Sequence, residues 1–393
     1  MTKLTPETIA TVKATIPFLS ENAVKLTCEF YQRMFRENPE VKEFFNPVHQ
    51  ASGAQQGALA GAVCAFARNI ETPENLASAV SLIAHKHVSL GVQPEHYPIV
   101  GKHLLGAIDA LLDPAPPEIL EAWGQAYGFL AEVLTGAEAG LFADNPWEGF
   151  KPFRIARKVV ESESITSFYL EAEDGHPAPA FLPGQYLTVR IPAADGTTTM
   201  RNYSLSSYGN NDFLRISVKR EEGGHASNYL HGELTEGDLL DVAAPSGDFV
   251  FDFERGDAPV LLLSGGVGVT PILGMLHANA GKGCRVDFVH GAINGASHAF
   301  KEEVDALVEK HDNLNRHYRY SEPAEGDEPD STGFFDLALI EGLLKPDTEV
   351  YFCGPKPMMS LVHSALNELG HPAEHIHFEF FGPQEELLQC PMH

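Results

Sequence analysis

The sequence is poor in basic residues and has no long apolar run. Its 393 residues include 27 lysines and arginines against 54 aspartates and glutamates, which gives a formal net charge of −27. Nucleic acids and anionic membrane surfaces are bound through basic patches, so this charge argues against both as partners. An uninterrupted apolar run of about 18 residues, which a membrane-spanning helix needs, is also missing. We therefore predict no nucleic-acid binding and no membrane span.

Cysteine is scarce, and no two cysteines have the spacing of a metal-binding pair. The five cysteines include no Cys-x-x-Cys pair, which excludes a cysteine-only iron–sulfur or zinc motif and favours a reducing compartment. The first residues, Met1-Thr2-Lys3-Leu4, lack the apolar core and cleavage site of a signal peptide. We expect a cytoplasmic protein, and its length predicts two or three domains.

The first third of the chain has the period of α-helices, and the stretch from Leu76 to Leu90 is its centre. Its apolar positions recur at spacings of three and four, and His87 falls on the same stripe. That stripe is formed by Leu76, Val80, Ile83, His87 and Leu90. A core histidine satisfied by a hydrogen bond is the simpler explanation for one such residue considered alone.

Other polar residues on apolar stripes favour a ligand pocket. Tyr31, Gln55, Tyr97 and Glu138 each fall on the apolar face of their own predicted helix. The face that carries Tyr31 is predicted to comprise Val24, Cys28, Tyr31 and Phe35. An inward imidazole together with a tyrosine and a glutamine suits a haem iron with a gaseous ligand. A buried carboxylate needs a donor, so Glu138 should have one.

Short strings in residues 1 to 142 carry a family resemblance. They are Phe30-Tyr31-Gln32-Arg33-Met34-Phe35, Phe45-Asn46, Gln55 with Leu59, Lys86-His87 and Pro94-Glu95-His96-Tyr97. Together they resemble the globin domain of the flavohaemoglobins. The resemblance implies that His87 binds the iron of haem b and that Tyr31 donates a hydrogen bond to bound oxygen.

The same resemblance implies roles for the residues around these two. Gln55 and Leu59 would line the distal side, and Phe45 would pack against the haem edge. Tyr97 and Glu138 would be the proximal partners of His87, and Lys86 would act toward the flavin side. An imidazole whose Nδ1–H donates to a carboxylate gains anionic character and donates more electron density, which favours oxygen activation over storage.

The middle of the chain changes period after a predicted linker, Ala143 to Lys151. Short stretches at 153–160, 165–170, 186–191 and 214–218 alternate with a period of two, which predicts a small antiparallel barrel. Its chemistry lies in Arg201-Asn202-Tyr203-Ser204. On a strand, this string can place a guanidinium on a diphosphate, a ring on an isoalloxazine and a hydroxyl near its N5. An ordinary strand is the alternative for the string taken alone.

Two flanking segments strengthen the flavin interpretation. Pro183-Gly184-Gln185-Tyr186 lies before the string, and Val218 to Gly224 with Ser227-Asn228 lies after it. In this order the segments resemble the FAD barrel of the ferredoxin-NADP reductase superfamily. The resemblance implies that FAD is bound by Tyr186 and by residues 201–204, and that a short helix opened at Ser227-Asn228 faces its diphosphate.

The last third begins with a strand and a glycine-rich turn. Pro259 to Leu263 is a continuous apolar run, typical of a strand buried on both faces. It leads into Gly265-Gly266-Val267-Gly268-Val269-Thr270-Pro271, where glycines let the backbone approach a phosphate at a helix start. The turn resembles the Gly-Gly-x-Gly-x-Thr-Pro of ferredoxin-reductase-type nicotinamide domains. Strands and helices then alternate to the strand Ile376–Phe380, which predicts a doubly wound parallel sheet.

Two strand ends complete the predicted nucleotide site. Cys353-Gly354-Pro355 follows a strand, and the resemblance places this cysteine near the nicotinamide; a buried inert cysteine is the alternative. The stretch Phe378 to Pro383 matches the family's closing motif, which packs against the flavin. The implied contacts are Phe380, Phe381, Gly382 and Pro383. The tail 384–393 runs past this motif.

The predicted architecture is a multidomain one. It comprises an all-α globin (1–142), a linker (143–151), an antiparallel β-barrel that binds FAD (152–256) and a doubly wound α/β domain that binds NAD(P) (257–393). The resemblance implies a nitric oxide dioxygenase, which converts nitric oxide and O2 to nitrate at haem with electrons from NADH or NADPH through FAD. We expect a monomer. The choice between NADH and NADPH stays open, as does the presence of a lipid in the distal pocket.

Two other functions stay open beside this one. The first is a flavohaem reductase of peroxides or of ferric or quinone acceptors, which would use the same cofactors. The second is non-enzymatic, a haem gas sensor or an oxygen store. A sensor needs an output module where this chain has a predicted reductase, and a store does not need Glu138 on the core face.

Overall fold

The computed structural model describes residues 4–45, 54–193, 196–209 and 212–382. Contacts divide the chain into two compact units. The first unit contains the residues up to Gly149 together with 192–201, and the second contains 150–191 and the residues from 202 to 382. Pro383, the tail 384–393 and the side chain of Gln55 lie outside what the structure describes.

The first unit is helical, as the sequence predicts. Its described α-helices are α1 (Pro6–Glu21), α2 (Ala23–Glu37), α3 (Ala54–Arg68), α4 (Ala77–Leu90), α5 (Tyr97–Leu112) and α6 (Pro117–Asp144). Short 3-10 helices precede or join them at Pro39–Phe44, Pro73–Leu76 and Pro94–His96. Proline begins several of these elements because its fixed φ suits the first helical position. Gly91 ends α4 in the left-handed conformation at φ 77°, which glycine adopts without strain.

The buried face of α2 differs from the predicted one. Val24 is 64% exposed, and Cys28 is only partly buried. The core instead receives Leu26, Phe30 and Met34, which recur at a spacing of four on one face of the helix. Tyr31 is still inward, at 5% exposure, because it lies one helical turn after the buried Thr27 on the same face of the helix.

The second unit begins with a sheet that closes on itself, of which only Pro192 and residues 198–201 group with the first unit. Its strands are β1 (Phe150–Val160), β2 (Ile165–Ala172), β3 (Tyr186–Pro192), β4 (Thr198–Ser204), β5 (Leu214–Lys219) and β6 (Leu239–Ala243). The sheet order is β4-β3-β6-β1-β2-β5, and the β1 pairings are antiparallel. A bridge between Leu205 and Ile216 joins the two edges, which makes the sheet the predicted barrel. One helix, α7 (His225–Gly232), follows β5.

A parallel sheet forms the rest of the second unit. Its strands are β7 (Val260–Gly265), β8 (Val286–Ala292), β9 (Leu314–Tyr320), β10 (Ser331–Thr332), β11 (Glu349–Cys353) and β12 (Ile376–Glu379), in the order β10-β9-β8-β7-β11-β12. Its helices are α8 (Val269–Asn279), α9 (Lys301–Lys310), α10 (Leu337–Leu343) and α11 (Lys356–Glu368). Both faces of β7 are buried under apolar side chains, which confirms the doubly wound sheet expected from its continuous apolar run.

The connection between helix and barrel is shorter than the predicted linker. Helix α6 continues to Asp144, and β1 begins at Phe150. Ala143 therefore belongs to the helix and Lys151 to the strand. No helix among the described residues is long and apolar enough to cross a membrane.

Candidate haem and nucleotide sites

Three polar side chains meet at the end of α4 in the first unit. The Nδ1 atom of His87 lies 2.7 Å from Oε1 of Glu138 and 3.1 Å from the hydroxyl of Tyr97. The Tyr97 hydroxyl also donates to the same Glu138 oxygen. Glu138 is 2% exposed, so the predicted carboxylate on the core-facing stripe of α6 is buried and has two donors. These residues come from three different helices.

This arrangement fixes which imidazole nitrogen is available for a ligand. A carboxylate accepts hydrogen bonds, so Nδ1 of His87 carries the proton and Nε2 presents its lone pair. Burial and the bond to Glu138 raise the pKa of the Tyr97 hydroxyl, which therefore stays a donor. The second Glu138 oxygen, Oε2, is buried without a hydrogen-bond partner among the described residues.

The donor set fits a haem better than a metal ion held by side chains alone. Among the described residues, no group of three or more His, Cys, Asp or Glu is placed to hold a metal ion. A porphyrin supplies four nitrogen ligands, so one histidine oriented by a carboxylate is sufficient. The residues at His87 therefore fit the predicted haem.

A tyrosine that the sequence reasoning left without a role supports this group. The Tyr127 hydroxyl donates to the backbone carbonyl of Tyr97 at 2.7 Å. Its ring lies against Gly101, where a Cβ would be only 2.7 Å from Cε1 of the ring. Tyr127 therefore fixes the backbone that carries Tyr97, and Gly101 provides the space that it needs.

The predicted distal residues belong to an aromatic cluster in the same unit. The Tyr31 and Phe45 rings are edge to face with centroids 5.5 Å apart, and Phe35 contacts both rings. Leu59, on α3, is partly buried against the same core. Gln55 lies on α3 one helical turn before Leu59, and Lys86 is exposed on α4. The distal roles of these residues stay predictions.

The string Arg201 to Ser204 lies on β4, as predicted. Asn202 accepts a hydrogen bond from the Thr188 hydroxyl at 2.9 Å, and Ser204 is buried. The Arg201 guanidinium donates to the Thr199 hydroxyl and to the Met200 carbonyl. Tyr203 alternates with these residues and is partly buried. Tyr186 is buried at the start of the neighbouring strand β3.

Helix α7 has a cation at its carboxyl end that the sequence reasoning did not single out. The Lys158 ammonium donates to the carbonyls of Leu230, His231 and Leu234. A cation there complements the helix dipole and leaves the amino end, at Ala226 and Ser227, suited to an anion such as a diphosphate. The signal in the sequence is a lysine on a strand that is otherwise partly apolar, which is too common to be specific.

The glycine-rich turn and Cys353 are brought together at the carboxyl ends of β7 and β11. A Cβ at Gly268 would lie 2.3 Å from the Cys353 carbonyl oxygen, so only glycine allows this approach. A Cβ at Gly265 would lie 2.6 Å from the Met358 sulfur and 2.9 Å from Cδ of Pro355. The turn from Gly266 leads directly into α8 at Val269-Thr270, where the Thr270 hydroxyl donates to the Val267 carbonyl. The predicted nicotinamide residues therefore meet at the carboxyl ends of two neighbouring parallel strands, the edge at which open α/β sheets bind their ligands.

A buried acid, Glu379, lies beside Cys353 and was missed by the sequence reasoning. It pairs with Cys353 across β11 and β12. Although the residue is partly exposed as a whole, its Oε2 is buried without a partner among the described residues. Burial, and then the charge of Asp248, raise the pKa of Glu379 to about 8. Burial also raises the pKa of the Cys353 thiol, which is consistent with a neutral cysteine.

The end of β12 presents aromatic rings of different exposure. Phe380 packs partly against the core of the parallel sheet, and Phe381 is 47% exposed. Gly382 turns the chain back by donating its N–H to the Phe380 carbonyl at 2.8 Å. An exposed ring next to the buried Glu379 is suited to stacking on a flat ligand such as a flavin.

Family models match each of the three predicted domains. They are a globin at residues 28–134, an oxidoreductase FAD-binding domain at 152–251 and an oxidoreductase NAD-binding domain at 262–364. These domains account for the predicted cofactors, which are haem, FAD and a nicotinamide nucleotide. The pairing of the FAD- and NAD-binding domains makes the chain an oxidoreductase.

Relatives of known name match nearly the whole chain. A flavohemoprotein of Chromobacterium violaceum is 46% identical over 96% of this chain and 98% of its own. The crystal structure of a flavohemoglobin from Malassezia yamatoensis with bound FAD and heme covers 97% of this chain and 100% of its own, with 26% identity and a TM-score of 0.89. The FAD/NAD-binding domain of a nitric oxide dioxygenase from Vibrio cholerae covers 59% of this chain and 99% of its own, with 33% identity and a TM-score of 0.54. On this similarity and this architecture, the chain belongs to the flavohaemoprotein family.

Proposed function

We propose that this flavohaemoprotein is a nitric oxide dioxygenase that converts nitric oxide and O2 to nitrate, with NADH or NADPH as the electron donor. The observation that carries the proposal is the 2.7 Å contact between His87 Nδ1 and Glu138. The similarity to a nitric oxide dioxygenase of Vibrio cholerae over the flavin and nicotinamide domains supports it. When bound, haem supplies the iron at which O2 and nitric oxide react, and FAD accepts the two electrons of the nicotinamide and passes them on singly.

The residues of the first unit would tune and shield that reaction. Glu138 accepts the Nδ1–H of His87 and gives the imidazole anionic character, and Tyr97 fixes the position of the carboxylate. Tyr31, buried among Phe30, Phe35 and Phe45, would direct its hydroxyl to the distal ligand. A hydrogen bond that strengthens as negative charge develops on that ligand accelerates its reaction.

The flavin barrel and the nucleotide domain would deliver the electrons. The Gly266–Thr270 turn would hold the nucleotide against Cys353, and β4 would hold the flavin through residues 201–204. Glu379 and Phe381 would border the flavin near the nicotinamide. We further propose that the protein acts as a cytoplasmic monomer, and that the FAD-binding domain ends at residue 256 and the NAD(P)-binding domain begins at residue 257.

The proposal is tested with an aerobic nitric oxide electrode and purified, haem-loaded and FAD-loaded protein. We expect rapid, NADH-dependent consumption of nitric oxide with nitrate as the product. His87→Ala should abolish consumption, and Tyr31→Phe should lower it by about 100- to 1,000-fold, as expected when a stabilising donor is removed. His85→Ala, on the same helix but off its core-facing stripe, is the matched control and should keep the wild-type rate.

The same histidine–carboxylate pair would also suit the cleavage of a peroxide bond, so peroxide reduction is the second candidate. Persistence of nitric oxide while NADH is still oxidised would reject the dioxygenase. Peroxide turnover that survives Tyr31→Phe would then favour the reductase. Nitric oxide loss without nitrate would also reject the proposal.

A further inference from the structure

A partly buried ion cluster joins the flavin barrel to the parallel sheet within the second unit. Arg215, on β5, donates from Nη1 and Nη2 to the two carboxylate oxygens of Glu303, on α9, at 2.8 and 2.9 Å. His277, on α8, donates from Nε2 to Glu303 Oε1 at 2.6 Å. The Arg215 side chain is 5% exposed. The cluster thus ties a barrel strand to two helices of the nucleotide domain.

One end of this cluster holds the backbone that follows the flavin strand. Arg215 donates from Nε to the Ser206 hydroxyl at 3.1 Å and from Nη2 to the Ser206 carbonyl. Ser206 comes two residues after Ser204, and its hydroxyl continues through Ser217 to Ser167 at 2.7 and 2.8 Å. All three serines are buried. The guanidinium is therefore fixed to the barrel independently of Glu303.

The other end of the cluster holds the helix that begins at the nucleotide turn. His277 lies near the end of α8, and the same helix starts at Val269, directly after Gly266–Gly268. In the middle of α8, a Cβ at Gly274 would be 3.2 Å from the Leu205 carbonyl and 3.7 Å from the Ser207 carbonyl. Helix α8 thus lies directly on the backbone that continues β4. The cluster closes this contact at the carboxyl half of the helix.

The energetics favour a geometric role for this cluster. Although burial opposes its ionisation, the hydrogen bonds from His277 and Arg215 lower the pKa of Glu303 to about 2, so the carboxylate is charged at neutral pH. A buried ion pair often adds little net stability over apolar residues of similar volume, because both charges lose their hydration. Its directed hydrogen bonds instead hold β5, α8 and α9 in one defined arrangement.

We propose that Glu303, with Arg215 and His277, is a positioning residue that sets the nicotinamide against the flavin for hydride transfer. In that step the C4–H bond of the reduced nicotinamide breaks and an N5–H bond of FAD forms. The hydride carries both electrons, so the nicotinamide becomes NAD(P)+ and the flavin becomes FADH−. Transfer needs the reacting atoms about 3–3.5 Å apart, and a displacement of 1 Å costs about 100-fold in rate. The cluster acts on that distance through α8 and the segment after Ser204.

This inference goes beyond the proposed nitric oxide chemistry, because flavin reduction requires neither nitric oxide nor haem. It is tested on the full holoenzyme, without oxygen, by stopped-flow measurement of flavin bleaching against NADH concentration. Glu303→Gln removes the charge but keeps the shape. We expect the limiting rate of bleaching to fall by about 10- to 100-fold and the Kd for NADH to change by less than about threefold. The primary isotope effect with C4-deuterated NADH should rise as hydride transfer becomes slower.

The matched control is Glu302→Gln, the same change at the preceding, exposed position of α9. It should leave the limiting rate within about twofold of wild type. Hydrogen–deuterium exchange supplies a readout besides activity: in Glu303→Gln the amides of residues 205–207 and of α8 should exchange faster, and those of β11 should not. Equal exchange in the two variants would contradict the positioning role.

A limiting rate in FAD-loaded Glu303→Gln within about twofold of wild type would overturn the proposal. A rise in the Kd for NADH with an unchanged limiting rate would also overturn it, because the cluster would then act on binding. If Glu303→Gln does not retain FAD, His277→Leu decides by the same two criteria. His277→Gln, which keeps a side-chain donor, should recover most of the rate lost in His277→Leu.

Discussion

Removal of the Glu138 charge should change the electronic properties of the haem more than its binding. Glu138→Gln keeps the shape of the side chain but replaces an anion that accepts from both His87 Nδ1 and Tyr97 by a neutral amide. Hydrogen bonds to a charged group contribute about 1.5–3 kcal/mol and neutral ones about 0.5–1.5 kcal/mol, a difference of about 1 kcal/mol. The substitution therefore removes about 1 kcal/mol by which the carboxylate stabilises the ferric iron relative to the ferrous iron. For a one-electron couple this corresponds to a rise in the haem potential of about 40–50 mV.

The assay is a spectroelectrochemical titration of the haem, together with nitric oxide turnover. Second-sphere changes of this kind typically cost about 10- to 100-fold in activity, and we expect a loss in this range. Glu132→Gln, an exposed glutamate on the same helix, is the control and should change neither quantity. An unchanged potential in a haem-loaded Glu138→Gln protein would refute the charge-transfer reasoning, even if turnover fell.

Three further predictions concern the packing of the globin core, the nucleotide preference and the ionisation of Glu379. Gly101→Ala places a methyl group 2.7 Å from the Tyr127 ring. Overpacking of this kind costs about 1–3 kcal/mol, so we expect the free energy of unfolding to fall by that amount in a denaturant titration. A change below about 0.5 kcal/mol would show that the ring moves aside without cost. The loop 321–330 that follows β9 carries five acidic residues and no basic ones. Acidic side chains repel a 2′-phosphate, so kcat/KM should be at least about tenfold higher with NADH than with NADPH. Equal values would show that this loop does not face the nucleotide. The pKa of Glu379 is raised from 4.5 to about 8. Between these two pH values the folded protein keeps the Glu379 proton, whereas the unfolded chain has already released it. The free energy of unfolding therefore falls as the pH rises through this window. The Tm of flavin-free protein should fall less from pH 5 to pH 8 in Glu379→Gln than in wild type, and parallel falls would show that this carboxyl ionises without cost.

The sequence predicted most of the fold because its periodicities are long and its domain changes are abrupt. The stripe from Leu76 to Leu90 and the run from Pro259 to Leu263 place a helix and a buried strand correctly. The predicted face of α2 was wrong because Val24 and Cys28 fit a helical spacing as well as Leu26 and Met34 do. Only the neighbouring helices decide which of the two overlapping stripes is buried.

The candidate site was less predictable wherever two distant residues define it. A glutamate on an apolar stripe indicates that Glu138 has a partner, and the family resemblance named His87 and Tyr97. Glu379 gave no such signal, because an acid within Phe378–Phe381 resembles an ordinary edge-strand charge until Cys353 is seen beside it. Glu303 was hidden for the same reason: Glu302 and Glu303 are adjacent acids, and only the position of Arg215, 88 residues away, distinguishes them.

Glu138 and Glu303 are similar carboxylates with different consequences. Each accepts a hydrogen bond from a histidine and from a second donor. His87 bonds Glu138 through Nδ1 and keeps Nε2 for a ligand, so the charge of Glu138 reaches the bound group as electron density. The second donor to Glu303 is Arg215, which also holds the Ser206 backbone, so the charge of Glu303 fixes a distance between two elements. Neutralising the first carboxylate should therefore change a potential, whereas neutralising the second should change a transfer rate at constant potential.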